Sequence, residues 1–223
     1  MITFTELQEG VYDPNIFKAF FLAGGPGSGK SYVVRKTTGG MGMKIVNSDD
    51  IFEKLLDKEG LSKKMPESEK EPRDIVRAKA KRLTSAKKAN FIEGRLGHII
   101  DGTGKDYDKI AGQATKLKQL GYDVHMIFVN TSLDVALERN QKRDRTVPES
   151  IAIKSWNDVQ RNIGKFSQYF RQNFVVVDNN DPLENDGMIF NSVFKQIKRL
   201  ANKKVVNPVA QMWIKSELDK KRR

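Results

Sequence analysis

"GGPGSGKS", residues 24–31, follows the apolar run "FKAFFLA" (17–23) and precedes "YVVRK" (32–36). The eight residues satisfy G-x-x-x-x-G-K-[ST], with Gly24, Gly29, Lys30 and Ser31 in the defining places. A strand pattern runs into the loop and a helical pattern leaves it, which is the setting the motif requires. Glycines at 24, 25, 27 and 29 let the backbone curl so that successive N–H groups, Ser28 among them, face one concavity. The helix behind adds the positive end of its dipole. Such a concavity takes an anion with several oxygens, such as the β- and γ-phosphates of ATP. Lys30 would reach those phosphates and the Ser31 hydroxyl would ligate Mg²⁺. A glycine-rich turn without a ligand is the plainer alternative, and the full spacing in this setting argues against it.

Outward from the loop, short β-branched or aromatic runs recur at 43–47, 97–101, 123–130 and 173–178, each separated by a helical pattern. With 17–23 they make five strands in a β/α alternation. Parallel strands need long crossovers, so the expectation is an α/β fold, a P-loop NTPase with a five-stranded parallel sheet flanked by helices. Tyr107, Ile110, Ala114, Leu117 and Leu120 recur every three or four residues and fall on one helix face. Residues 57–74, charged and with two prolines, read as an aperiodic surface excursion, and 72–92 as a long helix. The expected division is a kinase domain over 1–183, with a helical lid at about 131–148, and a C-terminal helical extension over 184–223 packed on it. In the last helix Val209, Met212, Trp213 and Ile214 form the apolar side; a partner protein for this tail is the other reading.

Composition narrows the classes. The chain has 223 residues, a net charge of +12 and no cysteine. That removes disulfides, thiolate zinc sites and cysteine nucleophiles, and fits a cytoplasmic protein. "MITFTELQEG" has neither a basic start nor an apolar signal core, and no run approaches the ~18 apolar residues of a spanning helix, so no membrane association is expected. The positive charge favours a polyanionic partner, nucleic acid first, against a merely well-solvated surface.

Three further segments carry candidate chemistry. "IVNSDDIF" places Asp49 and Asp50 at a strand's C-terminal end, where sites in open α/β sheets lie. A kinase acting on a hydroxyl needs a carboxylate there as general base, whereas "SDD" also suits a helix cap. "HIIDGTGKD" supplies Asp101 after another strand. If that strand neighbours the P-loop strand, Asp101 can hold magnesium through water or position the acceptor; otherwise the Asp-Gly is a turn. In "NTSLDVALERNQKRDRTVPESI", Thr131 and Asp134 have capping-box spacing, and Arg139 and Arg143 fall four apart on one face. Such guanidinium groups can neutralise charge on a transferring phosphoryl group, or else belong to a basic solvent face paired with Glu138 and Asp144.

In this order the segments resemble the kinase domain of the phage 5′-polynucleotide kinases and, more distantly, the zeta-toxin kinases, over about residues 17–163. The resemblance implies an adenylate-kinase-like sheet with a helical lid, Asp49 as catalytic aspartate, Asp101 as the acid after the third strand, and Arg139 and Arg143 as lid arginines. It implies a phosphotransferase using ATP and Mg²⁺, in the host cytoplasm if phage-encoded. The phage enzymes have an acceptor-binding arginine three residues beyond the catalytic aspartate; here Phe52 stands in its place. No "DxDxT" phosphatase signature is present. The basic segment "RAKAKRLTSAKK" (77–88), with Val76, Ala80, Leu83 and Ala86 as its apolar face, is a candidate nucleic-acid grip, or a solvated outer face. A nucleic-acid hydroxyl, a 5′ end or one on a modified base, is the favoured acceptor. A small-molecule or sugar-nucleotide kinase, and a nucleic-acid-binding ATPase, are the alternatives.

Overall fold

The computed structural model describes residues 10–143, 146–180 and 187–222. Five strands, β1 (Lys18–Ala23), β2 (Lys44–Val46), β3 (His98–Asp101), β4 (Asp123–Asn130) and β5 (Phe174–Asp178), form one sheet in the order β2-β3-β1-β4-β5. Every pairing is parallel, with Leu22 opposite Asp101 and Ala23 opposite Phe128. The fold is the expected α/β P-loop architecture, with all strands ending at one edge.

β1 is central and buried along all six residues, and its alternation feeds two cores. Ala19, Phe21 and Ala23 face one core with Ala114 and Leu117 of α4 (Tyr107–Gln119), Val159 and Phe166 of α6 (Glu149–Phe170), and Ala210 of α8 (Pro208–Lys221). Phe20 and Leu22 face the other, with Val33 and Val34 of α1 (Lys30–Thr38) and Val193, Ile197 and Leu200 of α7 (Gly187–Ala201). The one charged residue of β1, Lys18, is buried in an ion pair with Asp123.

α2 (Ser48–Lys58) and α3 (Lys70–Glu93) pack on each other through a separate small core of Phe52, Leu56, Val76 and Ala80. The predicted aperiodic excursion is therefore shorter than 57–74, since α2 continues through Lys58 and α3 begins at Lys70. Of the predicted apolar face of α3, Val76 and Ala80 are buried but Leu83 and Ala86 are exposed, because α2 spans only the first half of the longer helix. α8 turns Trp213 and Ile214 to the core and leaves Val209 and Met212 outside. α5 (Leu133–Gln141) follows β4 and falls within the segment expected as a lid, of which residues 144–145 lie outside the described residues. Among the described residues no helix is long and apolar enough to cross a membrane.

Candidate active site

The loop after β1 is held from behind. A Cβ on Gly27 would lie 1.9 Å from the carbonyl oxygen of Ala136 in α5, so only glycine lets the loop approach that helix. Gly29 has φ +81°, a left-handed conformation, and a Cβ there would meet Asn179 Nδ2 at 2.3 Å. Gly29, the N-cap of α1, makes no side-chain cap hydrogen bond, and the positive end of the helix dipole points into the loop. Asn179, just past β5, donates from Nδ2 to Ser28 O at 2.8 Å. Gly25 lies against Trp156 of α6, whose Nε1 donates to Thr131 O at 2.9 Å.

Lys30 arches back over the loop, its Nζ donating to Gly24 O at 2.7 Å and to Gly25 O at 3.1 Å. Burial lowers its pKa, and the nearby Asp101 works in the opposite direction. Arg139 donates to Asn179 O at 2.6 Å and so crosses the loop from α5 to the end of β5. Arg143 is exposed, and its charge acts on both Lys30 and Asp101.

The acids gather around Asn47, the last residue before α2. Its Oδ1 accepts from Asp49 N at 2.7 Å and caps the helix. Its Nδ2 donates to Asp101 Oδ2 at 2.9 Å and to Asp50 Oδ1 at 3.1 Å. One amide thus ties the second strand's acids to the third strand's. Asp101 is pushed up to about 6, by burial first and also by Asp49 and Asp50, with Lys30 opposing. Asp49 is paired with Arg77 of α3, NH1 to Oδ1 2.7 Å, and the Arg77 guanidinium lies 3.7 Å from the centre of the Phe52 ring. That stacking brings cation–π attraction, and it holds the arginine where it meets Asp49.

Two cavities meet at Asp101. One, of about 340 Å³, opens between α3, α4 and the ends of β2 and β3; Ser85, Lys88, Lys105 and Lys109 are among its lining residues. The other, of about 320 Å³, is lined by Ser31, Asn47, Asp50 and Asp101. Among the described residues no cluster of three or more His, Cys, Asp or Glu could itself cage a metal. Ser31 and Asp101 line one cavity and would suit a magnesium ion, since a buried carboxyl among like charges is relieved by a cation.

Asp49, Asp101, Lys30 and Ser31 thus come together at the ends of adjacent strands, with Asp101 on the strand beside the P-loop strand. Three local expectations change. Asn47 caps α2, and neither Asp49 nor Asp50 does. Ser132 caps α5 in place of the capping box at Thr131, whose hydroxyl is buried without a hydrogen bond. Arg143 lies beyond the end of α5, so it does not share a helix face with Arg139, and Glu138 pairs with Lys142. The sequence reading missed Asn47, Arg77 as a partner of Asp49, Trp156 and Asn179. "NSDD" carried a signal for the first; the others come from distant segments and left none.

Solved structures of similar fold include proteins described as kinases. A putative kinase from Chloroflexus aurantiacus matches with a TM-score of 0.53 and 17% identity, over 82% of this chain and 97% of the other. The AvrRxo1-ORF1:-ORF2 complex with ATP gives a TM-score of 0.57 at 16% identity, covering 73% of this chain and 54% of that one. A chain of the Pnkp1/Rnl/Hen1 RNA repair complex gives 0.52 at 21%, over 68% and 46%. At these identities the likeness is one of fold, and that to polynucleotide kinases is distant. No curated protein matches the chain. The order of the two resemblances is reversed by the sequence model that does match: residues 8–186 fit zeta toxin, and the chain belongs to the zeta toxin family.

Proposed function

We propose that the protein is an ATP-dependent phosphotransferase that moves the γ-phosphoryl group to a hydroxyl of an acceptor seated in the cavity between α3 and α4. The observation that carries this is the placing of Lys30, Asp49 and Asp101 at three adjacent strand ends, beside a cavity that Asp101 itself lines. The solved complex of a structural neighbour with ATP supports the choice of nucleotide.

ATP lies on residues 24–31, its phosphates taking the N–H groups of the loop and first turn of α1. Lys30 exchanges the Gly24 and Gly25 carbonyls for phosphate oxygens, an ionic bond in place of two neutral ones. Ser31 and Asp101 would hold a magnesium ion, which would supply charge neutralisation at the phosphates. Asp49 orients the acceptor hydroxyl and takes its proton as the new O–P bond forms; the bond from the γ-phosphorus to the bridging oxygen breaks and ADP leaves. Arg139 and Arg143 offset the charge on the transferring group. Catalysis comes from positioning and electrostatics, with no covalent enzyme intermediate.

The size and walls of the cavity favour a small acceptor, such as a nucleoside or a sugar nucleotide. A nucleic-acid end is the second reading, favoured by Lys81, Arg82 and Lys87, which are exposed along α3. The test is transfer from γ-labelled ATP to a panel of 5′-hydroxyl DNA and RNA, hydroxymethylated DNA, nucleosides and sugar nucleotides, with Lys30→Ala as blank. Labelled small molecules establish the first reading and labelled nucleic acid the second. Phosphate release with no labelled acceptor overturns both in favour of an ATPase.

A further inference from the structure

The acceptor cavity contains more positive charge than the transfer chemistry uses. Lys88 of α3, Lys105 in the loop after β3 and Lys109 of α4 all line it. Lys88 is partly buried, and its hydrogen-bond partner is the neutral Gln113, Nζ to Oε1 3.0 Å. Burial and the charge of Lys109 both lower its pKa, which is the mark of two ammonium groups held near each other. The cavity's two carboxylates are engaged elsewhere. Asp106 accepts from Lys109 N as the cap of α4, and Asp101 is bound by Asn47 and faces Lys30. Among the described residues no carboxylate lies within ion-pair distance of Lys88, Lys105 or Lys109. The like charges of Lys88 and Lys109 oppose each other across the cavity that Lys105 also lines, and an anion with several oxygens would relieve that repulsion. Ser85, on the same wall, adds a hydroxyl donor.

We propose that Lys88, Lys109 and Lys105 form an anion subsite, separate from the P-loop, that binds a phosphoryl or phosphodiester group carried by the acceptor. The acceptor hydroxyl then lies towards Asp49 and Asp101, and the acceptor's own phosphate lies at the lysine end. This assignment of the acceptor end rests on the kinase reading above; the presence of an anion site does not.

Two experiments separate them. In the first, the P-loop is saturated with the non-hydrolysable analogue AMP-PNP and magnesium, and inorganic pyrophosphate is titrated while the lysine ¹⁵Nζ resonances are followed. The expected result is saturable shifts of Lys88 and Lys109. The affinity should fall about 10-fold or more in Lys88→Gln and in Lys109→Gln, in step with one lost charge-assisted contact. Lys109 is exposed, so its variant tests the site even if Lys88→Gln folds poorly. No shift at these lysines, or unchanged affinity in Lys109→Gln, overturns the subsite. In the second, matched acceptors with and without a phosphate are compared by kcat/KM. A preference for the phosphorylated acceptor that collapses in Lys109→Gln supports the assignment; equal use of the two overturns it while leaving the kinase reading intact. Pyrophosphate binding with no transfer to any acceptor keeps the subsite and removes the kinase reading.

Discussion

Asn47 joins the two halves of the site through a single amide, so its loss acts on both structure and chemistry. Asn47→Ala removes the α2 cap, at a cost of about 1 kcal/mol, and frees Asp50 and Asp101 from a shared donor. The expected outcome is a modest fall in melting temperature with a larger fall in transfer rate. Asp49→Asn tests the proposed base: transfer should fall by about 100-fold or more while ATP affinity, measured by calorimetry, stays near that of the parent. Undiminished transfer removes Asp49 from the role. For Asp101 the sign runs against stability. Its folded pKa of about 6 lies above the ordinary carboxyl value of 3.8, so the folded state binds more protons between those two pH values. Stability therefore rises as pH falls from 6 towards 3.8, and at neutral pH the ionised carboxylate costs up to about 3 kcal/mol. Asp101→Asn should melt higher than the parent at pH 8 by several degrees, and lose that advantage near pH 4, while transferring poorly. A lower melting temperature at pH 8 refutes this account.

At the scale of elements, close backbone approach decides what the loop tolerates. Gly27→Ala forces the loop or α5 to move, since the added methyl meets the Ala136 carbonyl; nucleotide binding should be lost by equilibrium dialysis before folding is. Strands and helix faces were legible in the sequence wherever burial was local and periodic. β4 has the bounds its apolar run indicated, and β1 differs by one residue. The P-loop, Asp49 and Asp101 were legible for a related reason, since their place at strand ends follows from the alternation alone. Arg77 was not, because its meeting with Asp49 depends on how α3 lies across α2, a contact between residues 28 apart. Asn179 and Trp156 close the loop from 151 and 131 residues away from Ser28 and Gly25 respectively, which no spacing rule reports. Leu83 and Met212 show the converse: period places a residue on a face, but only the length and position of the neighbouring element decide whether that face is covered.

For the whole molecule, acid sensitivity should come from the sheet interior. His125 in β4 is buried, stacks on Phe20 with ring centres 4.6 Å apart, and is pulled down to about 4 by burial. The unfolded chain takes up this proton near pH 6.5, so stability falls as pH drops through the window from 6.5 to 4, by up to about 3 kcal/mol. His125→Leu should flatten that limb of a melting curve measured from pH 7 to 4.5; an unchanged limb points to other groups. The separate packing of α2 and α3 has a consequence for how such a protein changes over generations. The P-loop rests on the two cores that flank β1, whereas Asp49, the proposed base, follows a three-residue edge strand and stands on a helix whose apolar side packs, among the described residues, on α3 and on Leu61 and Met65 before it. On the proposed reading, substitutions along that helix pair would alter the acceptor side without disturbing the packing beneath the P-loop, so the two sides of the site could change independently.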